Sequence, residues 1–112
     1  MPVLLFDHLA AGRLTLARLV DLTSAGPQRI YGIAGKGRIA LGYDADLTIV
    51  DLKAQREITA DWLQSKCGWS PFEGMRVTGW PMATVLRGRF VMREGELAEA
   101  ANGQAVRFLD SL

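Results

Sequence analysis

The sequence predicts an α+β fold, with helices in the N-terminal third and a small, mostly antiparallel sheet in the remainder. Before Gly35, apolar residues recur at three- and four-residue spacing, whereas after it they alternate or form short β-branched runs. Turn dipeptides such as Arg87-Gly88 and Glu94-Gly95 divide the C-terminal part into short strands. The 112 residues are enough for one hydrophobic core and too few for two.

Two helices are predicted at the N-terminus. Residues 1–9 carry apolar groups most of the way round, so this helix needs other parts of the protein to cover it, and it is expected to end at Ala11-Gly12. Thr15 is predicted to cap a second helix with an apolar face. Ala25, Gly26 and Pro27 are expected to close that helix and begin a short turn.

The sheet is predicted to begin in the segment KGRIALGYDADLTIVDL, residues 36–52. Gly37 and Gly42 bracket a first short strand, and a turn at residues 43–45 leads to a second strand. The run Leu47 to Val50 is β-branched and apolar, which is typical of a strand with both faces mostly covered. Asp51 is expected to end it.

The rest of the chain is predicted to contain a short helix, a long loop and a β-meander. The helix covers residues 57–65 with Thr59 as its cap. The loop, residues 66–79, carries large apolar groups that we expect to be packed rather than exposed. Strands are predicted at residues 82–87, 89–93 and 96–98, and the apolar segment near the C-terminus is expected to dock on the rest of the protein.

Composition argues against several classes of partner. The net charge of +1 gives no reason to expect nucleic acid, and Arg87, Arg89 and Arg93 are interpreted as a solvated face. No apolar run approaches the roughly 18 residues of a membrane span, and the N-terminus lacks a signal-peptide pattern, so we expect a cytoplasmic protein without membrane contact. Cys67 is the only cysteine, which excludes an intrachain disulfide and Cys₄ zinc sites.

Few residues are candidates for chemistry. Asp44 and Asp46 would share one face of an extended chain and could bind Mg²⁺ or Ca²⁺, but without further nearby ligands they are interpreted as turn and strand-end acceptors. His8 is the only histidine and is interpreted as a surface residue. Cys67 and Ser70 lack the surrounding motifs of nucleophiles. We therefore predict no catalytic, cofactor-binding or metal-ligating residue in this chain.

Three motifs in fixed order resemble a known family. KGRIALGYDADLTIVD, SKCGWSPFEG and VLRGRFVMREGEL are similar to successive segments near the C-terminus of cyclic amidohydrolases, and SPFEG resembles the dihydroorotase branch. The resemblance covers nearly the whole chain. The residues that carry it, interpreted as structural, are Gly37, Gly42, Asp44, Ala45, Asp46, Asp51, Ser70, Pro71, Phe72, Glu73, Gly74 and Gly88.

The resemblance implies a structural part of a larger enzyme. Dihydroorotases interconvert dihydroorotate and carbamoyl-aspartate in pyrimidine synthesis and use zinc held by histidines and a lysine on a barrel, in motifs that this sequence does not contain. Residues 1–34 would be the helical remnant of the end of a TIM-type barrel, and residues 35–112 part of the C-terminal β-sandwich. The chain alone is expected to be inactive, with the missing barrel portion as its partner.

Other parents and other roles stay open at this point. The family resemblance also admits an allantoinase or hydantoinase parent, or a metal-free, inactive homologue that serves as a scaffold. A different class is a free-standing interaction domain without any catalytic partner. Because strands from the N-terminus of the complete family are missing, we also expect a homo-oligomer that buries residues 3–9 and one sheet edge.

Overall fold

The computed structural model describes residues 2–100 and 102–111 and has the predicted α+β architecture. Its helices are α1 (Pro2–Ala10), α2 (Leu16–Val20) and α3 (Gly26–Tyr31), with a π-helical turn, Asp21–Ala25, between the last two, and single 3₁₀ turns lie at Ala60–Trp62 and Leu109–Ser111. The strands are β1 (Leu47–Glu57), β2 (Arg76–Leu86), β3 (Arg89–Arg93) and β4 (Glu96–Leu97). They form one antiparallel meander in the order β1-β2-β3-β4. Met1, the first residue of the predicted first helix, lies outside the described residues.

The second predicted helix is longer than expected. The Thr15 side chain accepts a hydrogen bond from the Arg18 backbone N–H at 3.2 Å, which confirms the predicted cap. The predicted end at Gly26 is wrong, because the Gly26 N–H donates to the Asp21 carbonyl and the helix continues through the π turn into α3. A Cβ at Gly26 would lie 2.5 Å from the Asp21 carbonyl oxygen, so only glycine fits there. Pro27 then lies in the first turn of α3, where its missing N–H leaves no hydrogen bond unmade.

Helix α1 packs on β2 and forms the core with it. Val3 and Phe6 are buried within this chain, so the cover that the sequence predicts for this helix comes at these two positions from the chain itself. Gly79 of β2 has φ +98°, and a Cβ there would lie 2.4 Å from the Phe6 Cβ, so any side chain would overlap Phe6. Asp7 accepts a hydrogen bond from the Thr78 N–H at 3.0 Å. β3 pairs with residues 83–86 of β2, whereas α1 contacts β2 at Thr78 and Gly79.

Strand β1 differs from the prediction in length and in burial. It continues past Asp51 because that carboxylate accepts hydrogen bonds from the N–H groups of Lys53 at 2.9 Å and Ala54 at 3.2 Å. These bonds support a bulge, and the register with β2 shifts between Asp51 and Gln55. The predicted cover on both faces is wrong, since Leu47 and Ile49 are exposed. Within the described ranges β1 is an edge strand.

The first strand predicted in the 36–52 segment does not form. Residues 38–41 make no ladder with a described strand, and Ile39 and Leu41 are 92% and 103% exposed. The neighbouring residues are fixed by the C-terminal segment instead, through a bridge between Ile33 and Phe108 and a hydrogen bond from the Ala34 N–H to the Arg107 carbonyl at 2.9 Å. The C-terminal segment therefore docks through its backbone, as expected, but its apolar side chains Val106, Phe108 and Leu109 are exposed.

Predictions for the middle of the chain failed, whereas the turn between the predicted strands 82–87 and 89–93 is found. The predicted loop 66–79 is too long, because β2 already begins at Arg76, where its pairing with the end of β1 starts. Thr59 makes no side-chain cap bond, and only one 3₁₀ turn follows it in place of the predicted helix. The loop before β2 does not bury its aromatic residues, since Trp69 is 63% exposed and Phe72 is exposed as well. The β2–β3 turn is confirmed, with φ of 48° at Arg87 and 77° at Gly88.

Candidate functional site

Three charged side chains meet where the 36–46 loop enters β1. The Lys36 ammonium donates to Asp44 Oδ2 at 2.9 Å and to Asp46 Oδ2. We refer to Lys36, Asp44 and Asp46 as the lysine–aspartate cluster. The second oxygen of Asp46 accepts the Arg87 backbone N–H at 2.9 Å, and the Gly88 N–H donates to the Ala45 carbonyl at 3.0 Å. The cluster thus ties the loop before β1 to the β2–β3 turn.

Glycine at position 37 brings Lys36 into this position. Gly37 has φ +81°, and a Cβ there would lie 2.9 Å from both the Ser24 carbonyl oxygen and the Gln28 Cβ. The chain therefore passes close against the helices, as only glycine allows. The loop is closed by a hydrogen bond from the Asp44 N–H to the Gly35 carbonyl at 2.8 Å. Lys36 and Asp46 are half-buried as a result.

The charges of the cluster stabilise one another. Hydrogen bonds to Asp46 and Asp44 raise the pKa of Lys36, against the effect of partial burial. Partial burial alone would raise the pKa of Asp46, but hydrogen bonds from Lys36 and from the Arg87 N–H lower it below its ordinary value. Both shifts move the pKa away from neutrality, whereas a general acid or base works best with a pKa near the working pH. This arrangement is suited to holding the loop.

The β2–β3 turn extends the network to the C-terminal segment. The Arg87 guanidinium donates from Nη1 to the Asn102 carbonyl at 3.3 Å, and the Asn102 amide donates from Nδ2 to the Leu86 carbonyl at 3.1 Å. Loop, turn and C-terminal segment are therefore fixed to one another by polar contacts.

An apolar groove of about 820 Å³ lies beside the cluster, between the helices and β1. Lys36 and Asp46 are among its lining residues, and the apolar ones include Leu5, Leu16, Leu19 and Val50. Arg38 and Ile39 form part of its rim.

The SPFEG motif forms a compact turn of its own. Ser70 Oγ accepts the Phe72 N–H at 3.2 Å, and the Ser70 carbonyl accepts the Glu73 N–H at 3.2 Å. The Gly74 N–H donates to the Ile58 carbonyl at 2.8 Å and so joins the turn to the end of β1. This motif therefore fixes the loop that connects β1 with β2.

The remaining candidates for chemistry lie apart from one another. Cys67 is exposed, and its sulfur lies 2.8 Å from the Ser65 hydroxyl, which lowers the pKa of the Cys67 thiol. His8 Nδ1 lies 2.9 Å from Nη1 of Arg13. Among residues 2–100 and 102–111, no three or more histidine, cysteine, aspartate and glutamate side chains group in a way that could hold a metal ion. Within the same residues, no helix has the length and apolar character needed to cross a membrane.

The structure brings together only some of the residues that the sequence singled out. Asp44, Ala45, Asp46 and Gly88 meet at the cluster, whereas Asp51 builds the bulge of β1. Sequence reasoning missed Lys36, the shared partner of both aspartates, because it lies eight and ten residues before them in a segment without regular structure. It also missed Asp7 and Asn102, whose partners are distant in sequence.

Comparison with known proteins shows the family. The profile described as "Amidohydrolase family" matches residues 3–91, and the chain belongs to this family. The dihydroorotase of Methanothermobacter thermautotrophicus is 44% identical over 103 residues, which are 92% of this chain and 24% of that protein. The L-hydantoinase of Paenarthrobacter aurescens is 41% identical over 108 residues, 95% of this chain and 24% of that protein.

Solved structures agree with the sequence comparison. An L-hydantoinase (dihydropyrimidinase) from Arthrobacter aurescens superposes with a TM-score of 0.81 at 37% identity, over 86% of this chain and 22% of that one. A dihydropyrimidinase from Brevibacillus agri superposes with a TM-score of 0.80 at 34% identity. The chain spans about a quarter of the length of the curated relatives that it matches, 24% of the protein in the first case. It is similar to one portion of a dihydroorotase-like amidohydrolase.

Proposed function

We propose that the chain forms the C-terminal part of a dihydroorotase-like cyclic amidohydrolase, in which the complete enzyme interconverts dihydroorotate and carbamoyl-aspartate in pyrimidine synthesis. The observation that carries this proposal is the 44% identity to a dihydroorotase across 92% of the chain. The helices would be the end of a barrel and the sheet a part of a β-sandwich. A cytoplasmic location stays a prediction.

In this proposal the chain contributes structure and the rest of the enzyme contributes the reacting groups. Zinc, the metal that the family resemblance implies, would polarise the scissile amide and supply a hydroxide nucleophile. The donors described here do not fit a zinc ion. Lys36 already pairs with Asp44 and Asp46. His8 and Cys67 lie apart, beside Arg13 and Ser65 respectively. We assign the zinc to the remaining part of the parent enzyme.

A hydantoinase parent is the second candidate. It is supported by the 41% identity to the L-hydantoinase of Paenarthrobacter aurescens and by the TM-score of 0.81 to the Arthrobacter aurescens structure. Against this, the SPFEG turn resembles the dihydroorotase branch.

A pair of chimaeras tests the proposal. In the first chimaera, this chain replaces the 103 residues that it matches in the dihydroorotase of Methanothermobacter thermautotrophicus. In the second, it replaces the 108 residues that it matches in the L-hydantoinase of Paenarthrobacter aurescens. We expect the first chimaera to hydrolyse dihydroorotate with zinc bound and to keep a larger fraction of its host's activity than the second keeps.

The controls separate folding from function. Each host without the matched segment is purified beside its chimaera, and we expect these shortened hosts to be insoluble or inactive. Zinc content and thermal unfolding are measured for every protein. Two soluble, zinc-loaded chimaeras without turnover would overturn the proposal, and a hydantoinase chimaera with the larger retained activity would move the parent to the second candidate.

A further inference from the structure

The C-terminal segment starts from a residue that is held firmly at the β2–β3 turn. Asn102 is half-buried, its side-chain amide donates to the Leu86 carbonyl at 3.1 Å, and its own carbonyl accepts from the Arg87 guanidinium at 3.3 Å. Gly103 follows at once, with open space where a side chain would lie. A glycine beside a fixed residue suits a hinge, because its backbone can turn without a side-chain clash. We refer to Asn102 as the anchor and to residues 103–110 as the strap.

The far end of the strap is joined to the end of α3 by backbone hydrogen bonds. The Ala34 N–H donates to the Arg107 carbonyl at 2.9 Å. The Leu109 N–H donates to the Gly32 carbonyl at 2.7 Å. We refer to these two bonds as the latch. Both lie within three residues of the strap, so the loss of one leaves only the other to hold that end.

The strap contributes nothing to the buried core. Residues 103–110 are all exposed, and the buried apolar side chains come from other parts of the described chain. An exposed hydrogen bond contributes little net stability, because water replaces it when it breaks. Segments held by such bonds, with few buried apolar contacts, open more readily than the rest of a fold. The strap therefore opens at a much smaller free-energy cost than the core unfolds.

The surface beneath the strap is held from its other side. The Ile33 N–H donates to the Gln28 carbonyl at 3.0 Å, and Nε2 of Gln28 donates to the Ile33 carbonyl at 2.9 Å. Gly32 takes a left-handed conformation, and its N–H also donates to the Gln28 carbonyl. None of these bonds involves the strap, so residues 32–34 keep their conformation when the latch breaks. Gln28 and Ile33 also line the groove.

We propose that the strap opens as one unit about Gly103, with Asn102 as a fixed anchor, and uncovers a preformed backbone edge at residues 32–34. The uncovered edge presents one donor, the Ala34 N–H, and one acceptor, the Gly32 carbonyl, next to the groove. In the closed state the strap itself occupies both groups. The C-terminal segment is thus a removable cover on the end of α3.

Amide hydrogen exchange of the intact chain, followed residue by residue by NMR, tests this inference. We expect the Ala34 and Leu109 amides to share one protection factor, at least about 100-fold below those of the paired amides of β1 and β2. The Ile33 amide, although adjacent to Ala34, should stay better protected because it donates to Gln28 and not to the strap.

A pair of substitutions at one position tests the latch itself. Leu109→Pro removes the N–H that donates to Gly32 and is expected to lower the protection of the Ala34 amide by about tenfold. Leu109→Ala keeps that N–H and changes only an exposed side chain, so it should leave the protection of Ala34 nearly unchanged. The paired amides of β1 and β2 should be unaffected by either substitution.

Three results would overturn the inference. Protection of Ala34 equal to that of the β1–β2 amides would make the strap part of the cooperative core. A Leu109 amide that is protected more than about tenfold less than Ala34 would indicate fraying from the chain end in place of one opening unit. Loss of Ile33 protection together with Ala34 would show that the edge is not preformed. The strap does not rest on the proposed enzymatic parent, so its failure and that of the chimaeras are separate results.

Discussion

At the scale of single residues, Lys36 joins the loop before β1 to the β2–β3 turn. It bridges two carboxylates that belong to the loop before β1, and through Asp46 it fixes the β2–β3 turn. We predict that Lys36→Met lowers the free energy of unfolding by about 1–3 kcal/mol, because it leaves two half-buried carboxylates without their charged partner. Urea unfolding at one fixed chain concentration measures this, with Lys36→Arg as the variant that keeps the charge.

The pH dependence of that loss provides a second readout of the same substitution. The pKa of Asp46 is lowered in the folded protein. Ionised Asp46 therefore stabilises the fold above pH 3.8, the ordinary pKa of an aspartate, and this stabilisation is lost as the pH falls through the lower pKa of the folded state. The pKa of Lys36 is raised. Protonated Lys36 therefore stabilises the fold below pH 10.5, and this stabilisation is lost as the pH rises through the higher pKa of the folded state. The difference between wild type and Lys36→Met should be constant between these limits and shrink outside them. A difference that does not change with pH would show that the lysine acts only through packing.

Gly79 is the second residue on which the fold depends. Its φ of +98° and its approach to Phe6 both require the absence of a side chain. We predict that Gly79→Ala lowers the free energy of unfolding by about 2–4 kcal/mol, because backbone strain and displacement of α1 add together. Urea unfolding measures this. Gly95→Ala is the matched control, because Gly95 has φ +87° with open space around it and should cost only about 1 kcal/mol. Equal losses in the two variants would contradict the close packing of α1 on β2.

At the scale of elements, the bulge in β1 protects an exposed edge. Asp51 holds it by accepting two backbone N–H groups. We predict that Asp51→Ala frees these groups, straightens the strand and increases aggregation, because a longer regular edge pairs more readily with other chains. Turbidity during heating measures the effect, and Glu99→Ala removes the same charge from an exposed site outside the strands and far from β1 in the order of the sheet. Equal aggregation of both variants would mean that charge alone controls it.

The same elements show what local sequence can predict. The Thr15 cap and the Arg87-Gly88 turn were predicted correctly, because each depends on residues adjacent in the chain. The strand at residues 38–41 was not, because a strand forms only with a partner, and pattern alone does not say whether one is present. Gly26 and Pro27 were interpreted as a helix end because a π turn has no marked sequence pattern. Lys36 was missed for the same reason as the absent strand, since its partners are set by tertiary structure.

At the scale of the whole molecule, two observations support the proposal that the chain is one part of a larger enzyme. The accessible surface exceeds the value for a compact monomer, and the chain matches 24% of the length of a dihydroorotase. The motifs in the sequence pointed to the family, but the extent of exposed apolar surface followed only from the fold.

The most direct test of this structural role is a dihydroorotate hydrolysis assay on the purified chain with added Zn²⁺, run beside elemental analysis for bound metal. We predict neither turnover nor stoichiometric zinc, because Lys36 occupies the two aspartates, and His8 and Cys67 lie beside Arg13 and Ser65. Turnover or one zinc per chain would contradict this. Either result would assign chemistry to Asp44, Asp46, His8 or Cys67 and would replace the structural role proposed for the cluster.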